Sequence, residues 1–383
     1  MRQVRTVLST YSSDTFGVCS ALYELGGMTV MHDASGCNST YTTHDEPRWY
    51  HSDSLVFISG LTELDAVMGN DDRLIQDMLE SIETLHPAFA AIAGTPIPMM
   101  NGCDLAAVAN EVERASGIPC FAFPTSGMQS YLCGASDAFA VLAKRMTLSS
   151  ECRKPNTVNI LGATPLDFSL SPTVASIRRL LTESGFSVNG CWAMGSSFEQ
   201  LRHAGAAAVN LVISGTGMKA AQVLKLKFGT PYVVGTPVGA EFSAQIVQQL
   251  RASASDGMDR IAFENAVPSS ACGIRIVGES VISRSIAAAV GLQTGNVPQV
   301  VSTLEALPEL AGICAAGDVQ AMEEDEIQAV CCDAAIVIAD PLYRPILPSD
   351  CRLLRMPHEA FSGRIYRGEM PDLTKFDYEE TIL

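Results

Sequence analysis

Two cysteines, Cys19 and Cys37, are candidate iron–sulfur ligands. They are 37 − 19 = 18 residues apart, and each lies in a stretch of small residues where we expect a loop. A helix and a strand are expected between them, so a hairpin-like path can bring both thiols to one edge. An iron–sulfur cluster takes four thiolates, and Cys103 is a less clear third donor. A two-fold dimer would supply two thiolates from each chain. The alternative is two unrelated loop thiols.

Two apolar strands and a helix must position this site. A strand ending at Met31 leads into the sequence HDASGC, and a second strand covers Leu55–Ile58. A helix follows, for which Thr62 is the expected N-cap, with Asp65 as its capping-box partner. Ligands of α/β proteins bind beyond the carboxyl ends of parallel strands. The sequence therefore predicts a site at the edge where these two strands end.

Other side chains of this segment are candidates for supporting roles. Three histidines can serve as proton donors, because imidazole titrates near neutral pH: His32, His44 and His51. The alternative for each is a surface or hydrogen-bonded histidine. Three aromatic residues are expected at a subunit interface, where such side chains are enriched: Tyr41, Trp49 and Tyr50.

Composition and charge exclude several function classes. Apolar residues make up 47 % of the 383 residues, which is ample for a large core. The formal net charge is −17 and no Lys/Arg cluster is present, so no nucleic-acid interface is expected. There is no apolar run of about 20 residues, which argues against a membrane span. No signal peptide is visible, and we expect a cytoplasmic protein. Twelve cysteines occur without a CxxC pair, which argues against a zinc ribbon.

A repeated order of strand, small-residue loop and helix predicts an α/β fold. Polar stretches near residues 149–156 and 253–271 divide the chain into three units, 1–150, 151–260 and 261–383. We expect three Rossmann-like domains with parallel sheets and right-handed crossovers. No GxGxxG or GxxxxGK[ST] loop occurs, so a nucleotide site within this chain is not expected.

Several segments together resemble the nitrogenase component 1 family. The sequences HDASGC, STYTTHDEP and FISGLTELDAVMGNDDRLIQDM follow the family's order of a cysteine turn, a polar stretch, a strand and an acidic helix start. Later segments also match, including the helix after Ser126-Gly127, the passage from Asn210 to Pro231 and the turn Met356–Gly363. The resemblance covers nearly the whole chain and implies three Rossmann-like domains.

The resemblance assigns site residues and also shows departures from the family. It places Cys19 and Cys37 at the first two cysteines that hold an interfacial iron–sulfur cluster. Thr95 stands where the family has the third cysteine, and Cys103, eight residues on, is either a substitute or a structural residue. Ser214 stands at the cysteine that anchors the iron–molybdenum cofactor. Because a serine hydroxyl is a poor replacement for a soft thiolate, nitrogenase activity with that cofactor is not expected. Pro357 stands at the cofactor's histidine, with His358 adjacent.

The resemblance implies one subunit of a two-component reductase. An ATP-dependent iron–sulfur reductase protein would deliver electrons to a [4Fe–4S] cluster held by Cys19 and Cys37. The subunit would form a homodimer, or a heterodimer with a related subunit. Electrons would then reach a substrate in a cleft among the domains, and the short chain resembles the tetrapyrrole-reducing members. Two alternatives stay open: a scaffold for metallocluster assembly, and a metal-free α/β binding module, which Thr95 supports.

Overall fold

Three parallel β-sheets form the centre of the molecule. The computed structural model describes residues 5–10, 12–36, 38, 41, 45–149, 153–269 and 272–382, so Cys37 and His44 lie outside the described residues. The strand orders are β2-β1-β3-β4, β6-β5-β7-β8-β9 and β12-β11-β10-β13-β14, and these strands all pair in parallel. The strands are β1 Met28–Met31, β2 Leu55–Ile58, β3 Ala90–Ala93, β4 Cys120–Phe123, β5 Lys154–Leu161, β6 Ser187–Cys191, β7 Ala207–Val212, β8 Tyr232–Val234, β9 Arg260–Ile261, β10 Ile274–Gly278, β11 Gln299–Ser302, β12 Val319–Gln320, β13 Ile336–Ala339 and β14 Arg352–Arg355.

Helices connect the strands and cover the sheets. This is the arrangement expected of parallel sheets, whose strands are joined by crossover connections. Among the described helices, none is both long and apolar enough to pass through a membrane. The α-helices are Asp14–Leu22, Glu63–Met68, Asp71–Leu85, Pro96–Asn101, Leu105–Ser116, Tyr131–Arg145, Pro165–Phe168, Thr173–Glu183, Phe198–Arg202, Met218–Phe228, Ala240–Asp256, Ser280–Thr294, Glu324–Cys331, Glu359–Ser362 and Tyr378–Ile382.

The two faces of the first sheet pack against different helices. Met28 and Val30 point to the side covered by Asp71–Leu85 and Leu105–Ser116. Met31 points to the opposite side, where the helix Asp14–Leu22 lies. Successive side chains of a strand alternate between faces, and both faces are buried here. The strand β1, Met28–Met31, is therefore buried on both faces, as is typical of parallel sheets.

The predicted helix start at Thr62 is confirmed. The Thr62 hydroxyl accepts from the Asp65 N–H, and the Asp65 carboxylate accepts from the Thr62 N–H, which is a complete capping box. The helix ends at Gly69, whose φ of 65° is the left-handed conformation that glycine adopts without steric cost. A new helix begins at Asp71, directly after Asn70.

One continuous apolar core connects all three sheets. The helix Tyr131–Arg145 packs against Asp14–Leu22 on one side and Met218–Phe228 on the other. Two glycines allow the first of these contacts. A Cβ at Gly134 would lie 1.8 Å from the Asp14 carbonyl oxygen, and one at Gly17 would lie 2.1 Å from that of Tyr131.

The polar stretch at residues 253–271 is not wholly a connection, which corrects the sequence interpretation. The helix Ala240–Asp256 continues into it, and β9 within it pairs with β8. The second sheet therefore extends to Ile261. The domain boundaries at 150 and 260 stay predictions.

Candidate functional site

Polar residues follow the first three strands of the first sheet at their carboxyl ends. His32 follows β1, Ser59 follows β2 and Thr95 follows β3 with one residue between. The His32 Nδ1 lies 2.9 Å from the Ser59 hydroxyl, and the Thr95 hydroxyl donates to the His32 carbonyl at 2.7 Å. The Asp33 carboxylate accepts from Thr95 at 3.2 Å and from Asn38 at 2.6 Å. Burial lowers the pKa of His32, which favours the neutral imidazole.

Cys19 lies in the helix Asp14–Leu22, and the expectation of a loop there is wrong. Its side chain is fully buried against Met31 and Tyr41. Gly17 and β-branched Thr15 have poor helix propensity, which is why the local sequence looked like a loop. Tertiary contacts override that propensity. The Asp14 carboxylate accepts from the N–H groups of Ser126 and Gly127, and the Thr15 hydroxyl donates to the Gly94 carbonyl.

A buried ion pair lies next to the Cys19 helix. Arg48 Nε is 2.6 Å from Glu46 Oε1, and both side chains are almost fully buried. Arg48 also donates to the Ser20 carbonyl at 2.9 Å and to the Ala193 carbonyl at 2.6 Å, so it joins this helix to the second sheet. Burial, followed by the negative charge of Glu46, raises the pKa of the Cys19 thiol. Without a metal ion nearby, the thiol is therefore the stable form.

Cys103 packs on the other face of the first sheet. It contacts the core that contains Val30, whereas Cys19 contacts Met31, so the structure does not bring these two thiols together. Cys103 Sγ lies 3.5 Å from Asp71 Oδ1. Burial and then this carboxylate raise the pKa of Cys103 to about 12, which disfavours the thiolate that a cluster needs.

The residues that the structure describes do not by themselves complete an iron–sulfur cluster. Of the two principal candidates, Cys19 and Cys37, the first lies within the described residues. Thr95 has its hydroxyl committed to backbone and carboxylate oxygens. In the described part of the chain, no group of three or more His, Cys, Asp or Glu side chains is arranged to hold a metal ion.

A second polar group lies between the second and third sheets. Asp167 follows β5, Ser214 follows β7, Glu279 follows β10, Asp340 follows β13 and His358 follows β14. Asp167, Glu279, Asp340 and His358 line a cavity with about 600 Å³ of empty space, part of which opens to solvent. We call it the inter-sheet cavity. Its position beyond the carboxyl ends of parallel strands is the usual place for a ligand.

Asp167 is the centre of the polar group. Its Oδ1 accepts from the Tyr131 hydroxyl at 2.5 Å and lies 3.3 Å from His358 Nε2. Its Oδ2 accepts from Ser214 at 2.6 Å and from Thr164 at 2.9 Å. The Ser214 hydroxyl is therefore committed to a carboxylate.

Glu279 is a fully buried carboxylate at the start of the helix Ser280–Thr294. It accepts from the N–H groups of Val281 and Ile282, and from that of Gly215 across the sheets. Burial and then the negative charge of Asp167 raise its pKa to about 7.

Sequence reasoning found part of this second group. It singled out Ser214 and His358, and the structure places His358 on the cavity wall. It missed Asp167, Glu279 and Tyr131. A signal was present for Glu279, which directly follows the strand β10, whereas Asp167 lies six residues beyond the end of β5 in a short helix.

An exposed apolar surface borders the edge of the first sheet. It consists of side chains from two helices that contact each other, and we call it the exposed apolar surface: Leu64, Val67, Met68, Met99 and Met100, exposed by 59–83 %. The Asn101 amide donates to the Ala66 carbonyl and joins the helices, and both border a cavity lined by His32. Tyr50 is also exposed, whereas Tyr41 is buried beneath Phe16, so an interface role for Tyr41 is wrong.

A sequence model of the nitrogenase component 1 type oxidoreductases matches residues 14–269, more than half of the chain. The chain belongs to this family. The match includes the Cys19 helix, the first sheet and all strands of the second sheet.

Individual relatives have different roles. The chain is 26 % identical over 216 residues to the nitrogenase iron-molybdenum cofactor biosynthesis protein NifE of Klebsiella pneumoniae, covering 53 % of this chain and 46 % of NifE. It is 26 % identical over 200 residues to the nitrogenase molybdenum-iron protein alpha chain of Clostridium pasteurianum, covering 51 % and 36 %. It is 33 % identical over 135 residues to a subunit of the light-independent protochlorophyllide reductase of Prosthecochloris aestuarii, covering 35 % and 25 %. The matches span less than half of each relative's length.

The fold agrees with the family. A solved nitrogenase structure superposes with a TM-score of 0.57 at 18 % identity, covering 86 % of this chain and 73 % of the other. The expected family and the expected α/β fold with three parallel sheets are therefore confirmed.

Proposed function

We propose that this chain is a component 1-like subunit of a two-component reductase in the cytoplasm. A separate ATP-dependent iron–sulfur reductase protein would deliver electrons to it. A dimer of this chain, or of this chain with a related subunit, would hold a [4Fe–4S] cluster at the subunit interface. The substrate would bind in the inter-sheet cavity.

The position of Cys19 carries this proposal. Its buried side chain contacts Met31, the last residue of the central strand β1, and Cys37 follows 37 − 31 = 6 residues later in the sequence. Six residues of chain are enough to bring Cys37 near Cys19. Cys19 and Cys37 would be the ligands from each chain. When bound, the cluster would supply one-electron transfer, and the charge of its iron would favour the Cys19 thiolate that burial otherwise disfavours.

The chain's own residues support the other steps. The exposed apolar surface lies next to the edge where β1 ends, which suits burial against a second subunit near the cysteines.

Reduction of an organic substrate also consumes protons. Asp167 and His358 line the cavity, and the Tyr131 hydroxyl behind them contacts both, at 2.5 Å from Asp167 Oδ1 and 3.4 Å from His358 Nε2. This set can hold a proton beside a bound substrate.

The test is the iron content of the anaerobically purified protein. We expect about four irons and four acid-labile sulfides per dimer, with an EPR signal after reduction by dithionite. Cys19→Ala and Cys37→Ala should each lose this iron. Cys191→Ala is the matched control, because Cys191 is equally buried in the apolar core and should keep the iron. Full iron retention in Cys19→Ala would overturn the proposal.

A scaffold for metallocluster assembly is the second candidate, favoured by the similarity to NifE. With its partner protein, ATP and dithionite, a reductase should oxidise dithionite continuously as it reduces substrate. A scaffold should instead transfer its cluster to an acceptor protein and should not turn over a substrate. Absence of iron after anaerobic reconstitution would favour the metal-free binding module instead.

A further inference from the structure

The inter-sheet cavity is lined by more acidic than basic side chains. Asp167, Glu279 and Asp340 line it, and the cavity walls that the structure describes contain no Lys or Arg side chain. The donors to Asp340 are neutral, namely the N–H groups of Leu342 at 2.9 Å and His358 at 2.8 Å. The donors to Asp167 are three hydroxyl groups and the His358 ring.

The carboxylates also act on one another. The pKa of Glu279 is raised to about 7, first by burial and then by Asp167, although three backbone N–H groups donate to it. A further negative charge is therefore unfavourable in this cavity, and a positive charge is favourable. Charges separated from bulk water interact more strongly than exposed ones.

The rest of the wall is apolar. Its large side chains are Ile276, Ile282, Ile286, Ile338, Met356 and Phe361. An alkyl or ring group of a ligand would be removed from water against these residues, which is favourable in proportion to the buried area.

We propose that the inter-sheet cavity binds a small organic cation of the alkylammonium class and excludes carboxylate ligands. The apolar part of the ligand would lie against the isoleucine side chains, and its charged group beside Asp167 and Asp340. This inference rests on the proposed function only in taking the ligand to be the substrate. It disfavours a tetrapyrrole, because the carboxylate side chains that tetrapyrroles usually carry would lie beside the acidic side chains of Asp167 and Asp340.

The experiment compares three probes of one size and different charge, hexylammonium, 1-hexanol and hexanoate, by isothermal titration calorimetry with the anaerobically purified full chain. We expect hexylammonium to bind about tenfold more tightly than 1-hexanol, and hexanoate at least about tenfold more weakly than 1-hexanol. Equal binding of the three probes, or tightest binding of hexanoate, would overturn the inference. The assay needs no electron transfer, so its result is independent of whether the chain is a reductase.

Variants locate the binding site. Met370→Trp fills the half-buried rim and should abolish binding of all probes. Asp340→Asn keeps the shape and should reduce the preference for hexylammonium several-fold. If Asp340→Asn does not fold, Glu279→Gln at pH 8 replaces it with the same expectation. Glu369→Gln removes a surface carboxylate that pairs with Arg355 and should change nothing. Unchanged binding in Met370→Trp would contradict the assigned site.

Discussion

The Tyr131 hydroxyl donates a 2.5 Å hydrogen bond to Oδ1 of Asp167, and both side chains are fully buried. Tyr131 begins the helix that follows the first sheet, whereas Asp167 follows the first strand of the second sheet. The bond therefore joins two parts of the chain through the core, directly beside the inter-sheet cavity. The same Asp167 oxygen also contacts His358 of the cavity, so loss of this bond would affect both the stability of the fold and the site.

Tyr131→Phe should destabilise the protein by about 2 kcal/mol, because a buried acceptor on a carboxylate loses its donor while the ring still fills its space. Urea denaturation followed by circular dichroism measures this loss. Tyr50→Phe is the matched control, since Tyr50 is 76 % exposed and should change the free energy of unfolding by less than about 0.5 kcal/mol. Equal stability of Tyr131→Phe and the parent protein would contradict a structural role for the bond.

Gly134→Ala should destabilise the protein more strongly than most surface changes. Its Cβ would lie 1.8 Å from the Asp14 carbonyl oxygen, which is backbone of the Cys19 helix and cannot move away cheaply. We expect a loss of at least about 2 kcal/mol, the size typical of overpacking. Chemical denaturation measures it.

Gly368→Ala is the control for this substitution, because nothing lies within 4 Å of the added Cβ. It should leave the unfolding midpoint nearly unchanged. Similar midpoints for the two variants would show that the helices Asp14–Leu22 and Tyr131–Arg145 are not in close contact. If this protein binds the proposed cluster, Gly134→Ala should also lower its iron content, because the substitution displaces the helix that carries Cys19.

Glu279 predicts a specific dependence of stability on pH. Its pKa rises from 4.5 to about 7 on folding. Between these values the native state binds more protons than the unfolded state, so the contribution of Glu279 to stability is present below pH 4.5 and is lost as the pH rises through 7. Urea denaturation of the parent protein and Glu279→Gln at pH 5 and pH 8 measures this contribution.

The parent protein should lose stability between pH 5 and pH 8 because Glu279 ionises in this range. Glu279→Gln should lack this part of the loss, so its free energy of unfolding should fall less between the two pH values. Other groups titrate in both proteins and cancel in this comparison. Glu369→Gln, with an exposed carboxylate, should show the parent's pH dependence. An identical pH dependence in Glu279→Gln would show that Glu279 keeps an ordinary pKa in the folded protein.

Local sequence signals predicted elements, but not the tertiary contacts that complete the sites. Thr62, Asp65 and Gly69 define a helix by themselves, because a capping box and a left-handed glycine act within a few residues. Cys19 is helical because of contacts to residues far away in sequence, such as Ser126, which no local pattern contains. The link between Tyr131 and Asp167 was missed for the same reason, because the two residues lie on different helices and are 36 residues apart in the sequence.

The exposed apolar surface gives a prediction about the dimer. Met68 and Met100 are 72 % and 83 % exposed, on helices beside the edge of the first sheet. If a second subunit covers them, a charge there is taken out of water without a partner, which is costly. Met68→Glu and Met100→Glu should therefore weaken the dimer at least about tenfold, as measured by sedimentation velocity over a concentration series.

Leu226→Glu is the matched control, because Leu226 is 89 % exposed on the helix Met218–Phe228, away from the first sheet. It should leave the dimer intact. If two Cys19 and two Cys37 thiols share one cluster, the monomeric Met68→Glu and Met100→Glu proteins should also lose iron, since each keeps only half of the ligands. Monomers that keep their iron would show that the ligands come from a single chain, and a dimer unaffected by both substitutions would place the interface elsewhere.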